Sequence, residues 1–190
     1  MTPKSKEAVV ASVCELIARG DREGASSILA SEFPFAPVES AERRYSETEA
    51  LRVFRRDGFV DRYSGERLVF PGTLRLLSVL LPESFPFHPN WKVSHTHPAF
   101  WLLSPTIDHV VPITRGGRDE EANWVSTSQL RNSAKGNWFL EELGWKLVPP
   151  GNLRAWDGLC AWFTERIEAE PSLLQHAPLK RWHLALRRAA

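Results

Sequence analysis

Along the first sixty residues, apolar side chains recur at helical rather than strand spacing. Val9, Val10, Val13, Leu16 and Ile17 follow the i, i+3, i+4, i+7 pattern of an amphipathic helix over residues 5–19. Gly20 stops that helix, and Asp21 is placed to cap a second one reaching about Ala30. Phe33-Pro-Phe-Ala-Pro37 reads as a proline-broken connection. Ser46-Glu-Thr-Glu49 has capping-box spacing, and Leu51, Val53 and Phe54 give the helix behind it an apolar side that ends near Gly58. Arg67-Leu-Val-Phe70 looks like a short strand, followed by a buried helix carrying Leu74, Leu76, Leu77, Val79 and Leu80. Pro82, Pro86, Pro89, Pro98 and Pro105 break residues 81–105 into loops and short extended pieces. Near the carboxy terminus, Trp156, Leu159, Trp162, Phe163 and Ile167 form one helical stripe, and a last helix is expected near 177–188.

Composition narrows the class. The 190 residues are 43% hydrophobic and 25% charged, a globular balance. Lysine and arginine total 24 against 23 acidic residues, which excludes nucleic-acid binding by bulk charge but permits a local basic strip. Arg43, Arg44, Arg52, Arg55 and Arg56 crowd one region, diluted by Glu42, Glu47 and Glu49, and read first as a solvated helix surface. Cys14 and Cys160 supply neither a disulfide framework nor a four-cysteine zinc site. No apolar run approaches the roughly 18 residues of a membrane span, so no membrane partner is expected and the chain reads as a soluble, cytoplasmic protein. The eight tryptophans read as core rather than as a base-stacking platform.

The chemistry concentrates between Thr106 and Trp138. Ile107, Val110 and Val111 alternate around Asp108-His109 as in a short strand; Pro112 and Gly116-Gly117 force a loop; Asn123-Trp-Val125 is a second strand. Ser126 or Thr127 is placed to cap a helix carrying Gln129, Arg131, Asn132 and Lys135, with Gly136 at its end. A histidine suits general-base work near neutral pH. Asp108 and Asn132 offer hard oxygen donors for Mg²⁺ or Mn²⁺. Arg115, Arg131 and Lys135 bring positive charge for phosphates. In a regular strand Asp108 and His109 point to opposite sides, so a twist or bulge is needed for both to serve one site.

This stretch resembles the HNH endonuclease family, through Asp108-His109, Pro112, Gly116-Gly117, Asn123-Trp124 and Asn132-Ser-Ala-Lys135-Gly136-Asn137, with a looser match at Arg56-Asp-Gly58 and Tyr63-Ser-Gly65. The resemblance implies an α+β fold: a small ββα-metal core embedded in mostly helical flanking segments. It divides the chain into a helical region at 1–57, a nuclease core at 58–140 with a proline- and aromatic-rich insertion, and a helical region at 141–190, together one compact unit. It implies a metal-dependent DNA endonuclease, with His109 as general base, Asn123 orienting His109 and bracing the loop, and Mg²⁺ or Mn²⁺ on Asp108 and Asn132. Arg115, Arg131 and Lys135 would contact nucleic acid.

The sequence departs from the family where many members carry two C-x-x-C pairs of a zinc knuckle. The corresponding positions hold Asp61 and Ser64, then Ser128 and Arg131, so no structural zinc is expected and packing by the tryptophan-rich flanks is expected to replace it. Recognition of DNA would fall to the amino-terminal helices, the arginines of 43–56, or Lys180, Arg181, Arg187 and Arg188. Ser94-His95-Thr-His97 is read as polar surface or a loop pair near DNA, with a transition-metal site as the competing view. Cutting both strands requires a homodimer or two sequential nicks, and the sequence accommodates either. Two other readings stay open: a catalytically silent HNH module that binds DNA or serves in assembly, and a nuclease subunit targeted by a separate partner. Restriction, phage defence, DNA packaging and recombination all use such a core.

Overall fold

A computed structural model describes residues 5–35 and 45–189, and the chain divides into two units between Ala41 and Glu42. The division separates a short amino-terminal piece from a large remainder. The break falls before the capping-box helix, which belongs with the core rather than with the helices ahead of it. Arg43, Arg44 and the end of the expected proline-broken connection lie outside the described residues.

The first unit is a helical hairpin of α1 (Lys6–Ala18) and α2 (Arg22–Glu32). Gly20 turns the chain at φ +81°, and the Asp21 carboxylate accepts a 2.8 Å bond from the Gly24 amide, the cap expected of it. Val9, Val13 and Ala25 are its buried apolar residues.

The second unit mixes helices with one small sheet, an α+β composition. Its first helix, α3 (Glu47–Arg56), starts with the complete capping box: Ser46 Oγ accepts from the Glu49 amide, and the Glu49 carboxylate accepts from the Ser46 amide. Its Leu51, Val53 and Phe54 are buried. Next come α4 (Pro71–Leu80) and the short α5 (Ala99–Leu103). Strand β1 (Pro105–His109) then pairs antiparallel with β2 (Trp124–Ser128), placing Asp108 opposite Val125 and His109 opposite Trp124. Helix α6 (Gln129–Lys135) follows β2 without a gap, and α7 (Cys160–Ala169) and α8 (Ala177–Arg188) close the unit.

The main core joins α3, α4, α7 and α8 through Phe54, Phe59, Phe70, Leu76, Phe163 and Leu179, and Ile107 of β1 reaches into it. One face of the hairpin is thereby anchored to the helices. Most of the tryptophans pack against apolar clusters, as expected, although Trp138 is half exposed.

Three local expectations shift. Arg67–Phe70 makes only the isolated bridge Val60–Arg67. Its amides go to three different places, Leu68 to Phe59, Val69 to Leu103 and Phe70 to Gly158, which leaves no ladder to extend. The cap of α6 is Ser128, because Ser126 and Thr127 remain in β2 and give their hydroxyls to Asp57 and Asp61. Trp156 and Leu159 precede α7 rather than lying in it, since Gly158 and Leu159 both adopt positive φ just before Cys160.

Candidate functional site

Strand, loop, strand and helix between Thr106 and Gly136 assemble as the sequence predicts, and two hydrogen-bonded groups grow from adjacent residues of β1. Asp108 and His109 keep regular strand register, so their side chains make separate contacts.

Asp108 is 4% exposed, and its Oδ2 accepts from the Tyr63 hydroxyl at 2.7 Å and pairs with Lys135 Nζ at 3.0 Å. Lys135, fully buried at the end of α6, also donates to the His109 carbonyl at 2.8 Å. Burial, and then the Asp108 charge, hold the Tyr63 phenol far above the ordinary tyrosine range, so it stays a donor. Lys135, expected at a DNA phosphate, is corrected: its charge is spent inside the protein, because Asp108 would otherwise be a buried carboxylate without a counter-ion.

His109 is 2% exposed. Its Nε2 lies 2.7 Å from Asp119 Oδ1, and the indole Nε1 of Trp124 lies 2.9 Å from the same oxygen. The two ring nitrogens are 3.0 Å apart. An indole N–H only donates, so the consistent arrangement has both nitrogens donating to Asp119. In the neutral imidazole that puts the proton on Nε2 and the lone pair on Nδ1, an atom that is buried and has no hydrogen-bond partner among the described residues. Asp119 was missed in the sequence because it opens the acidic run Asp119-Glu-Glu121, which looks like ordinary loop surface.

Asn123 braces the loop. Its Oδ1 accepts from the Val111 amide, and its Nδ2 donates to the carbonyls of Val111 and Arg118, each at 2.9 Å. It has no hydrogen bond to His109 itself; it holds the loop that carries Asp119. A side chain on Gly117 would collide with the Val111 carbonyl, which explains the glycine there.

Asn132 stands one turn before Lys135 and so shares its helical face, but no hydrogen bond joins its side chain to Asp108 or His109. Among the described residues, no three histidine, cysteine or acidic side chains converge as a metal cluster. Hard oxygens of Asp108 and Asn132 nevertheless suit a divalent cation in kind, and Asp108 Oδ1 accepts no hydrogen bond from a described residue.

The expected phosphate contacts are engaged internally. Arg131 lies 3.6 Å from Asp61 and 3.4 Å from Glu66. Arg115 pairs with Glu142 at 3.4 Å and covers the Phe139 ring. Arg56 binds Asp57 and the carbonyls of Glu121 and Trp124, tying α3 to the loop ahead of β2. Lys180, Arg181, Arg187 and Arg188 are exposed on α8.

Three of the four positions that the resemblance would align with a zinc knuckle, 61, 128 and 131, meet around one carboxylate. Asp61, fully buried, accepts from the Tyr63 amide, the Thr127 hydroxyl and the Ser128 amide at 2.9–3.1 Å and faces Arg131. Asp57, equally buried, accepts from the amide and hydroxyl of Ser126 and from Arg62. These two carboxylates clamp residues 57–66 to β2, a polar addition to the apolar packing expected there. His95 and His97 do not converge: His97 stacks on Phe85 at 4.3 Å, and His95 meets Ser94.

No helix among the described residues is long and apolar enough to cross a membrane. Compared with protein-family models, curated proteins and solved structures, the chain finds no match in any of the three.

Proposed function

We propose that the chain is a metal-dependent DNA endonuclease of the HNH type. The observation that carries the reading is His109: Asp119 accepts its Nε2–H, which leaves the Nδ1 lone pair as a base, while Asp108, on the opposite side of the regular strand, joins it at one site only if β1 twists there. Asp108, through Oδ1, and Asn132 are the residues that would hold Mg²⁺ or Mn²⁺. A bound divalent cation would supply Lewis-acid stabilisation of the scissile phosphate and the leaving oxygen.

His109 Nδ1 would accept a proton from water as the water oxygen bonds to phosphorus and the bond to the 3′ oxygen breaks. The departing 3′ oxygen takes up a proton, leaving 5′-phosphate and 3′-hydroxyl ends. The imidazolium formed on His109 would be stabilised by Asp119, which already accepts its other N–H. Because Nδ1 is closed to solvent, water would reach it only after a local rearrangement around His109. Arg115 and Arg131 would meet phosphates only by leaving Glu142, and Asp61 and Glu66.

One observation favours the alternative of a catalytically silent HNH module: Lys135 already neutralises Asp108. Supercoiled plasmid incubated with Mg²⁺, Mn²⁺ or EDTA separates the two. The endonuclease reading expects metal-dependent nicking by the wild type and a loss of about 10²–10⁴ in rate for His109→Ala with DNA binding retained. Absence of nicking in every metal, or unchanged nicking by His109→Ala, defeats it.

A further inference from the structure

A cavity of about 650 Å³ opens on the far side of the hairpin from the His109 end, where β1 begins. Thr106 and Gln129 contribute to its floor, so it touches β1 and α6 about 10 Å along the strand from His109. Its size falls within the range of small-ligand sites, about 300–1,000 Å³.

The walls are aromatic and the polar groups few. Trp91 and Phe100 meet edge to face at 6.2 Å on one side, and Trp182 of α8 lines another. Arg75 of α4 lays its guanidinium over Phe87 at 3.6 Å, which fixes its plane. Its Nη1 is buried and has no hydrogen-bond acceptor among the described residues. Burial, and then the facing charge of Arg181, work against the Arg75 cation. Arg181 is paired with Glu47 at 3.0 Å, and both also line the cavity. Among the described residues that line the cavity, two guanidinium groups face one carboxylate, which leaves one positive charge there without a counter-ion. A buried guanidinium nitrogen lacking an acceptor costs stability, and a turn of the Arg75 side chain toward the cavity would give it a phosphodiester oxygen as acceptor.

We propose that this cavity binds a single nucleotide of a DNA strand, with the base between the aromatic walls and the phosphodiester on Arg75. Each component matches: the partly exposed rings of Trp91 and Trp182 offer stacking surface to any base, one net positive charge balances one phosphodiester, and Gln129 offers a polar group to a base edge. The base must leave its stack to enter, as in enzymes that read an extruded nucleotide. Tyr45 connects cavity and hairpin, lining the first while its ring lies 6.3 Å from Trp124, the partner of His109 and Asp119. A nucleotide held here would position the strand relative to His109, but binding itself requires neither cleavage nor a divalent ion.

The test is titration of the full chain with deoxynucleoside 5′-phosphate methyl esters, which carry one negative charge, followed by calorimetry and tryptophan fluorescence in EDTA. At least one base should bind, and the uncharged deoxynucleoside should bind about tenfold more weakly. Inorganic phosphate alone should leave the fluorescence unchanged. Arg75→Gln should weaken the methyl ester by about tenfold or more while leaving the uncharged nucleoside unchanged. Arg181→Gln, which leaves the buried nitrogen in place, should weaken it less, and it carries the comparison if Arg75→Gln does not fold. No binding by any ester up to roughly 10 mM overturns the proposal. So does equal binding of the uncharged nucleoside or of N-acetyltyrosine amide, which would mark a general apolar cavity. Failure of plasmid nicking leaves these binding outcomes untouched, so the two readings fail separately.

Discussion

Replacing Lys135 by methionine removes one ammonium group from a fully buried site. The substitution keeps a long apolar stem, so packing at the end of α6 is largely preserved. What is lost is the counter-ion 3.0 Å from Asp108 Oδ2 and the donor 2.8 Å from the His109 carbonyl. With Asp108 at 4% exposure, its remaining hydrogen bond from Tyr63 does not replace the missing charge. Removing one partner of a buried ion pair costs about 3–5 kcal/mol, which for a chain of this size lowers the melting midpoint by roughly 6–20 °C. All eight tryptophans lie between Trp91 and Trp182, so urea unfolding followed by fluorescence reports on the second unit. Adding Asp108→Asn to Lys135→Met should restore part of the loss, because a neutral amide tolerates the site better than an unpaired carboxylate. The coupling between the two substitutions should be about 2–3 kcal/mol. A loss below about 1 kcal/mol for Lys135→Met, or strictly additive effects, would refute the buried-pair account. Freed from Lys135, Asp108 should also bind Mn²⁺ more tightly, which calorimetry on the folded variant measures.

Tyr63 is held protonated by burial and by Asp108, so its contribution to stability is complete below the unfolded phenol value of about 10 and is lost as pH rises above it. In a spectrophotometric titration Tyr63 should ionise only with alkaline unfolding; its ionisation before unfolding would contradict the buried assignment. Asp61→Ala strands three donors, the Tyr63 and Ser128 amides and the Thr127 hydroxyl, and should cost at least about 3 kcal/mol in chemical denaturation, against less than 1 for an exposed acidic residue such as Glu66. Asp119→Asn should lower plasmid nicking about tenfold to hundredfold with little change in stability, shift the His109 nitrogen resonances away from a pure Nε2–H form, and be rescued in part by Asp119→Glu; unchanged resonances would show that Asp119 does not set the tautomer.

What could be read from the sequence depended on how far apart the cooperating residues lie. The cap at Asp21 and the box at Ser46–Glu49 are local, since each side chain answers an amide three residues away. The hairpin and α6 were legible for a similar reason, because one unbroken stretch carries strand, turn, strand and cap. The division after Ala41 follows the proline-broken stretch at 33–37, a signal that marks a connection without saying whether the pieces it joins share one core. Lys135 looked like a surface cation because its partner Asp108 is 27 positions earlier, and Tyr63 lies earlier still.

Asp57 and Asp61 illustrate the same limit at the level of architecture. In sequence they are two acidic residues near glycine turns, which suggests solvent. In the fold they are fully buried, and each carboxylate gathers donors from β2 that a regular two-stranded edge leaves unused. A metal knuckle joins two chain segments by ligands from both; Asp61 does this with Tyr63 on its own turn and Thr127 and Ser128 on the other segment. Several charge-assisted bonds to one buried carboxylate can hold such a junction because each donor also escapes desolvation unpaired. At 61, 64, 128 and 131, the positions that the resemblance would align with a zinc knuckle, residues at three of the four build a polar junction. That junction also fixes Tyr63 beside Asp108, so the clamp that joins the segments and the buried charge pair at the candidate site share one turn of chain.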